Sequence, residues 1–499
     1  MQRSITFAVV LSALVLSFVP TAAIHAADSV QLKETVTPIP KGTEGWKVFM
    51  PSLKVGPDSQ NIALVGRKDK DFAVFIDGQP GPLFDSIGKG TPVFSPDGKR
   101  VAYSVKSGLK WMMVVDGKTG DRFDAVAIPE FSPDSIHVAY AAKDGDEQRV
   151  VLDGKKGKKY DGIVQKDPRL TFSHDSKRLA YLVVQDKKMM LVLDGRESQP
   201  YDVVSVPAFS PDGKKLAHAA KTGGRWMIVE NGREGTLYDA TGAYTYSPDS
   251  SRLVYMARQD KKWHMVENGK EGPGFDLIGA PVFSPDGSRL AYLSVTDKKM
   301  AMVLDGRKQS EYDQLSFVLF SPDSTHFAYP AKKGDRWQMI VDGSEGPAFD
   351  AVAIPMFSHD SKRLAYSVKQ GDKFMMVVEG QPGPPFDAVT LPQFSLDSRR
   401  LAYMAKSGDK WRIVVDGQEW EDYDGVAVPV FSPDSQHLAY LAMKKSVWFV
   451  VVDNQAGDEW FAGGVKGATI VWDGPKKMHT LIIRDAALNF ARLDVEIEE

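Results

Sequence analysis

The sequence predicts an all-β fold built by repetition, with about twelve four-stranded units, and three observations predict it. First, the string Phe94-Ser95-Pro96-Asp97-Gly98-Lys99-Arg100-Val101-Ala102-Tyr103 returns, lightly edited, as far as Phe431–Tyr440. Its Asp falls at 97, 134, 175, 212, 249, 286, 323, 360, 397 and 434, so that eight spacings are 37 residues and one is 41. A fixed period in this range marks a repeat architecture. Second, turn signals arrive every 8 to 12 residues between short apolar runs, the rhythm of short strands. Third, no window carries the i, i+3, i+4, i+7 apolar spacing of a helix, which excludes stacked helical repeats.

One unit, Pro92 to Val126, shows the elements in order. Pro92-Val93-Phe94 is a short β-prone run ended by the turn Ser95-Pro96-Asp97-Gly98, where Pro presets φ, Asp bonds its own backbone and Gly tolerates positive φ. Arg100–Val105 is the second strand of that hairpin, and Lys106–Lys110 a polar loop. Trp111–Val115 is the third strand, closed by the turn dipeptide Asp116-Gly117. Arg122–Val126 reads as a fourth, shorter strand. A four-stranded unit repeated radially is a β-propeller blade, and runs apolar at consecutive positions, such as Met112–Val115, fit a strand buried on both faces. The recurring aromatics from Phe94 to Phe431 read as core between blades. A second recurring pair follows the Asp-Gly turn: Phe84-Asp85, Phe123-Asp124, Tyr160-Asp161, Tyr201-Asp202, and on to Phe386-Asp387 and Tyr423-Asp424.

The Phe-Ser-Pro-Asp-Gly-Lys-Arg-Val-Ala-Tyr string resembles the WD-like repeat of the periplasmic TolB-type propellers. It also resembles the propeller part of prolyl-oligopeptidase-type proteins, without their hydrolase domain. The resemblance runs from about residue 46 to the C-terminus. It implies that the strand before Ser-Pro-Asp is innermost, and it says little about activity, because this fold serves many functions.

At the edges the pattern erodes. Val55–Ser59, Ile62–Val65 and Phe72–Gly78 form a weak first unit; Ala468–Gly474, Met478–Arg484 and Leu488–Ile497 form a twelfth that lacks an outer strand. Trp46–Met50 is the expected supplier of that strand, letting the ring close between its ends. Twelve units divide most simply as two tandem six-bladed propellers, since six to eight blades fill their own centre. The alternatives are one large ring of about twelve blades and a seven-plus-five split. The expected boundaries are residues 1–27 for a signal peptide, 28–268 for a first propeller including the closing strand, and 269–499 for a second.

Composition bounds the class. Of 499 residues, 43 % are hydrophobic and 25 % charged, with a net charge of −3, so no basic excess points to nucleic acid. Met1-Gln2-Arg3 followed by the apolar run Ile5–Val19 and small residues at Thr21–Ala23 and His25–Ala27 read as a secretory signal, the run being too short to span a bilayer. The expected location is therefore periplasmic or secreted, with no membrane span after cleavage and a monomeric mature chain. The absence of cysteine excludes disulfides, thiol nucleophiles and lipidation at a Cys.

Chemistry-bearing residues are mostly repeat substitutions. His137, His326 and His437 share one register; His174 and His359 replace the turn Pro; His218 replaces the motif Tyr. Scattered over different blades, they do not read as ligands converging on one metal. The aspartates recur in nearly every unit, whereas catalytic acid and base need distinct environments. No Gly-x-Ser-x-Gly elbow, Asp-x-Asp-x-Asp-Gly loop or glycine-rich phosphate loop occurs, so no catalytic residue, metal or cofactor is expected.

One charge pattern stands out, in the loops between second and third strands: Lys106 and Lys110, Lys187 and Lys188, Lys221 and Arg225, Lys261 and Lys262, Lys298 and Lys299, Lys332 and Lys333, Lys369 and Lys373, Lys406 and Lys410. On a propeller these loops share one face and form a candidate docking rim for an acidic protein or anionic envelope polymer, the competing reading being solvated loops. The loops into the inner strands (Ala125–Pro129, Gly279–Pro281, Ala388–Pro392) are small and apolar, unlike an enzyme pocket. The expected function is thus a non-enzymatic exported scaffold that binds a protein or envelope component. The alternatives are a propeller enzyme of lactonase, lyase or glycosidase kind and a lectin-like array stacking sugars on Trp111, Trp226, Trp263, Trp337, Trp411 and Trp448.

Overall fold

The structure, a computed structural model, describes residues 30–39, 45–164, 170–485 and 489–498. The expected signal segment lies outside them. Every regular element among the described residues is a strand, and these form twelve antiparallel sheets. Each sheet is one blade, numbered here 1 to 12 along the chain.

Blade 2 shows how the sequence makes the unit. Val101–Ser107 and Lys110–Val115 are its second and third strands, paired from Ala102↔Val115 to Ser107↔Lys110. Their centres are buried on both faces, which explains the consecutive apolar residues. The Ser-Pro-Asp turn is held locally: Ser95 Oγ donates to Asp97 Oδ1 (2.6 Å) and accepts the Arg100 N–H (3.0 Å). The Asp-Gly turn is tied beside it, Asp116 Oδ1 accepting the Val101 N–H at 3.1 Å.

The fourth strand differs from the expectation. Arg122–Val126 is not one strand: Lys118–Thr119 pairs with the third strand, and Phe123 adds a single bridge to Trp111. Ala125–Val126 has already crossed to blade 3, pairing with Ala142 and Lys143. The Phe/Tyr-Asp pair is therefore the crossover between blades, and its ring is the bolt of the junction. Phe123 is buried among Ala102 and Met113 of blade 2 and Tyr140 of blade 3.

The inner strand lies before Ser-Pro-Asp, as the resemblance implied, but in ten of the twelve sheets it is split in two, for example Ala125–Val126 and Glu130–Phe131. Proline at positions such as 92, 129 and 207 cannot donate to the ladder there. Blade 6, with Tyr244 in that register, keeps one continuous strand, Ala240–Tyr246. Blade 8, with Val318 there, is split all the same, so proline reinforces the break without being required for it.

Closure also differs in detail. The outer strand of blade 12 does come from the N-terminal end, but it is Gln31–Pro38, paired along its length with Phe490–Glu498. Lys47–Val55, which contains most of the expected segment, is instead the inner strand of blade 1, paired with Ile62–Lys68. Glu34 pins the closing strand, its carboxylate accepting the Asp458 and Glu459 N–H groups at 2.6 and 2.8 Å.

Apolar clusters join each blade to the next, and Ile62 of blade 1 to Val465 and Leu481 of blade 12. The twelve blades thus follow one another in a ring. Asn268–Gly269 is the turn between the paired third and fourth strands of blade 6, and the junction of blades 6 and 7 holds a cluster of the usual kind around Met265, Phe275 and Tyr292.

Candidate functional site

The second-to-third-strand hairpins bring all sixteen rim residues to one face, but not as a free positive rim. Lys110, Lys188, Lys262, Lys299, Lys373 and Lys410 each bond the crossover Asp of their own blade at 2.5 or 2.6 Å: Asp124, Asp202, Asp276, Asp313, Asp387 and Asp424. The second oxygen of each Asp accepts a backbone N–H from the next blade's hairpin, as Asp124 does from Gly145 at 2.8 Å. The lysine bond foremost, then that N–H, holds the Asp124 carboxyl below the ordinary range. These lysines help clamp blade to blade.

The remaining rim residues divide by surroundings. Lys221, Lys369 and Lys406 lie over the rings of Trp226, Phe374 and Trp411. Arg225 reaches the Leu237 carbonyl at 2.6 Å and Gln259 of the next blade at 3.0 Å, and Lys333 stands 3.8 Å from Glu345. Lys106 and Lys332 are half-buried at the ends of second strands. Lys187, Lys261 and Lys298 sit exposed at the hairpin tips, each with positive φ after an Asp of positive φ, the two-residue turn that suits a twisted hairpin.

The channel wall carries a feature that periodicity hides. At the middle of the inner strand one register is exposed in the later blades. In blades 8 to 11 it is Phe317, Ile354, Leu391 and Val428, exposed by 74, 50, 55 and 56 %. Blades 6 and 7 have Ala243 and Ala280 there. An apolar arc over four neighbouring blades is the kind of surface that marks an interaction site. Phe317, an aromatic ring at a register otherwise held by aliphatic residues and threonine in its neighbours, was the available sequence signal.

The repeat motif serves the junctions, and the histidines bond within a blade or across to the next. The Asp97 N–H donates to Ser135 Oγ of the next blade at 3.0 Å, and Arg100 reaches the Ser135 carbonyl (2.9 Å) and lies over the Phe131 ring. His137, His326 and His437 take the place of that Arg and bond Asp153, Asp342 and Asp453 at 2.7, 2.7 and 2.6 Å. His359 Nδ1 lies 3.1 Å from the Ser395 carbonyl. His218 is buried, and desolvation pushes its pKa down to about 4. Among the described residues no three His, Asp or Glu side chains gather to hold a metal, and no helix is long and apolar enough to cross a membrane. The six strand-three tryptophans are half-buried.

No protein-family model matches the chain, and no curated protein matches it. Among solved structures it is similar to a eukaryotic initiation factor, at 15 % identity and a TM-score of 0.36 over 66 % of this chain and 96 % of that one. It is also similar to TolB from Acinetobacter baumannii, at 15 % identity and a TM-score of 0.24 over 51 % and 77 %. A third likeness is the β-propeller domain of the Trilobed protease from Pyrococcus furiosus, at 13 % identity and a TM-score of 0.25 over 52 % and 93 %. These likenesses are distant, and the β-propeller assignment rests on the twelve sheets themselves.

Proposed function

We propose that this chain is an exported, non-catalytic β-propeller that scaffolds or docks a protein or a cell-envelope component at its channel. The observation that carries the reading is the apolar arc Phe317, Ile354, Leu391 and Val428 on the channel wall. Exposed at one register in successive blades, these side chains have no role in the sheets that carry them, and covering them would remove apolar surface from water. The exposed hairpin lysines Lys187, Lys261 and Lys298 add a positive approach for an anionic partner. Export rests on the basic start and apolar run of residues 1–19. The histidines and aspartates that a catalytic role would draw on are engaged within blades or at their junctions, which favours binding over chemistry.

The test is capture of partners from an envelope fraction by the full chain at low and high salt, repeated with Phe317→Ser plus Leu391→Ser and with Lys187, Lys261 and Lys298 changed to Glu. Partners lost by the first variant, and bound with weaker salt dependence by the second, support the reading. Identical partners on wild type and both variants would remove it.

A further inference from the structure

On the opposite face, where the Ser-Pro-Asp and Asp-Gly turns lie, neighbouring blades leave recesses between them. Those between blades 3 and 4, 4 and 5, 5 and 6, and 9 and 10 hold about 450, 510, 560 and 510 Å³. In three of them the motif tyrosine of the second strand forms part of the wall: Tyr181, Tyr255 and Tyr403. The recess between blades 4 and 5 has His218 in that position. The substitution shortens the side chain and puts a ring nitrogen where the other blades have a phenol.

His218 is 2 % exposed, and its Nε2 has no hydrogen-bond partner. The Tyr201 ring meets it edge-on at 6.2 Å, but the Tyr201 hydroxyl donates elsewhere, to Glu234 at 2.9 Å. Buried polar atoms are nearly always bonded, so one left unpartnered beside a recess points to a partner from outside the chain. Arg196 lines the same recess and is exposed, with no ion pair among the described residues. The adjacent Glu197 does not neutralise it, being held by Lys158 at 2.7 Å and Tyr160 at 2.9 Å. Leu191, Leu193 and Leu216 supply an apolar wall.

We propose that this recess binds a small hydroxylated carboxylate, with Arg196 taking the carboxylate and Nε2 of His218 taking a hydroxyl. A guanidinium pairs with a carboxylate through two parallel bonds. An imidazole protonated on Nδ1 accepts from a hydroxyl at Nε2, and the leucines cover C–H surface. A sugar acid and a small hydroxy acid share this chemistry. The site goes beyond the docking role and does not depend on it, since it lies on the other face of the ring.

The test is ligand-detected NMR and calorimetric titration of the full chain with glucuronate and malate, using glucose and propionate as controls that keep one half of the chemistry each. Glucuronate, malate or both should bind, with the controls about tenfold weaker. His218→Tyr, which restores the residue of the neighbouring blades, and Arg196→Gln should each weaken binding about tenfold, the loss expected for one hydrogen bond to a buried or charged group. Neither should lower the melting temperature. Binding of glucuronate alone assigns a sugar acid, and binding of malate alone a small hydroxy acid. No binding of either at about 10 mM, the range of a ligand with few contacts, overturns the proposal. Binding unchanged in both variants overturns it equally. Arg196 is exposed, so its variant keeps the test decisive should His218→Tyr fail to fold.

Discussion

His218 should make the junction of blades 4 and 5 acid-sensitive, and the size of the effect follows from its burial. Desolvation holds its pKa at about 4, against 6.5 for the free side chain. Because the folded value is depressed, the unfolded chain takes up a proton near pH 6.5 while the folded chain does not until near pH 4. The contribution is therefore intact above about pH 6.5 and is lost progressively as pH falls towards 4. One pKa unit is worth about 1.4 kcal/mol, so the full loss is about 3 kcal/mol, with about 2.5 kcal/mol already gone near pH 4.5. In a ring where each blade touches only its neighbours, the loss should be local first. Hydrogen exchange of the second strand of blade 5, Leu216–Thr222, measures it, with His218→Tyr as the reference at each pH so that intrinsic exchange rates cancel. Protection of wild type relative to the variant should fall by between about tenfold and a hundredfold from pH 7 to pH 4.5. A wild-type-to-variant ratio that does not change with pH would refute the reasoning.

Other consequences of the junctions are open to direct measurement. Phe123→Ala empties the bolt of the junction between blades 2 and 3 and should cost about 3 to 5 kcal/mol in urea unfolding. Lys110→Ala breaks an exposed clamp and should cost under about 1 kcal/mol, less still at high salt. Tyr238 donates to Glu271 of the next blade at 2.8 Å; a double-mutant cycle of Tyr238→Phe and Glu271→Gln should return a coupling of about 1 kcal/mol, and additivity would show the bond to be idle. Removing residues 1–39 takes away the outer strand of blade 12; small-angle scattering should show an expanded particle, and an unchanged radius of gyration would mean the ring closes without it.

What was legible in the sequence was what is local. The Ser-Pro-Asp turn, the hairpin after it and the Asp-Gly turn are set by residues within a few positions of one another, so one unit could be read and the rest followed. The outer strand is hidden from the sequence because Lys118–Thr119 is exposed and carries no hydrophobic pattern, whereas Arg122–Val126 contains the apolar residues of the crossover. The closing strand misled for a similar reason. Gln31–Pro38 alternates exposed with half-buried positions, only Leu32 and Val36 facing the core, and Trp46–Met50 has the stronger β propensity. The lysine rim is plain in the sequence, but its neutralisation is less so. The signal was present: in eight blades a cation and the crossover Asp stand fourteen positions apart, and in seven of these they pair, Lys110 with Asp124 and Arg336 with Asp350 among them. Outer tyrosines keep a similar hidden pairing, Tyr201 with Glu234 and Tyr312 with Glu345, while Phe123 meets Lys156 over its ring.

The size of the ring decides how the inner positions should be read. Small propellers can fill their centre with their own side chains; twelve blades cannot. The inner strands therefore face an opening rather than a core, and nothing in the packing of the ring requires an apolar residue between their halves. Ala243 and Ala280 stand there in blades 6 and 7, Ile128 and Val206 are half-buried in blades 3 and 5, and Phe317 to Val428 expose large apolar side chains in blades 8 to 11. The His218 recess is a departure of the same logical kind at a different place: nine blades put Tyr where one puts His, and the exchange leaves a buried ring nitrogen unpartnered beside a cavity. Residues repeated in every blade answer to the build of the blade and its junctions, where most of their partners are found. Residues that break the repeat without repairing a junction have to answer to something outside the chain, and in this ring the apolar arc and the recess are where that argument leads.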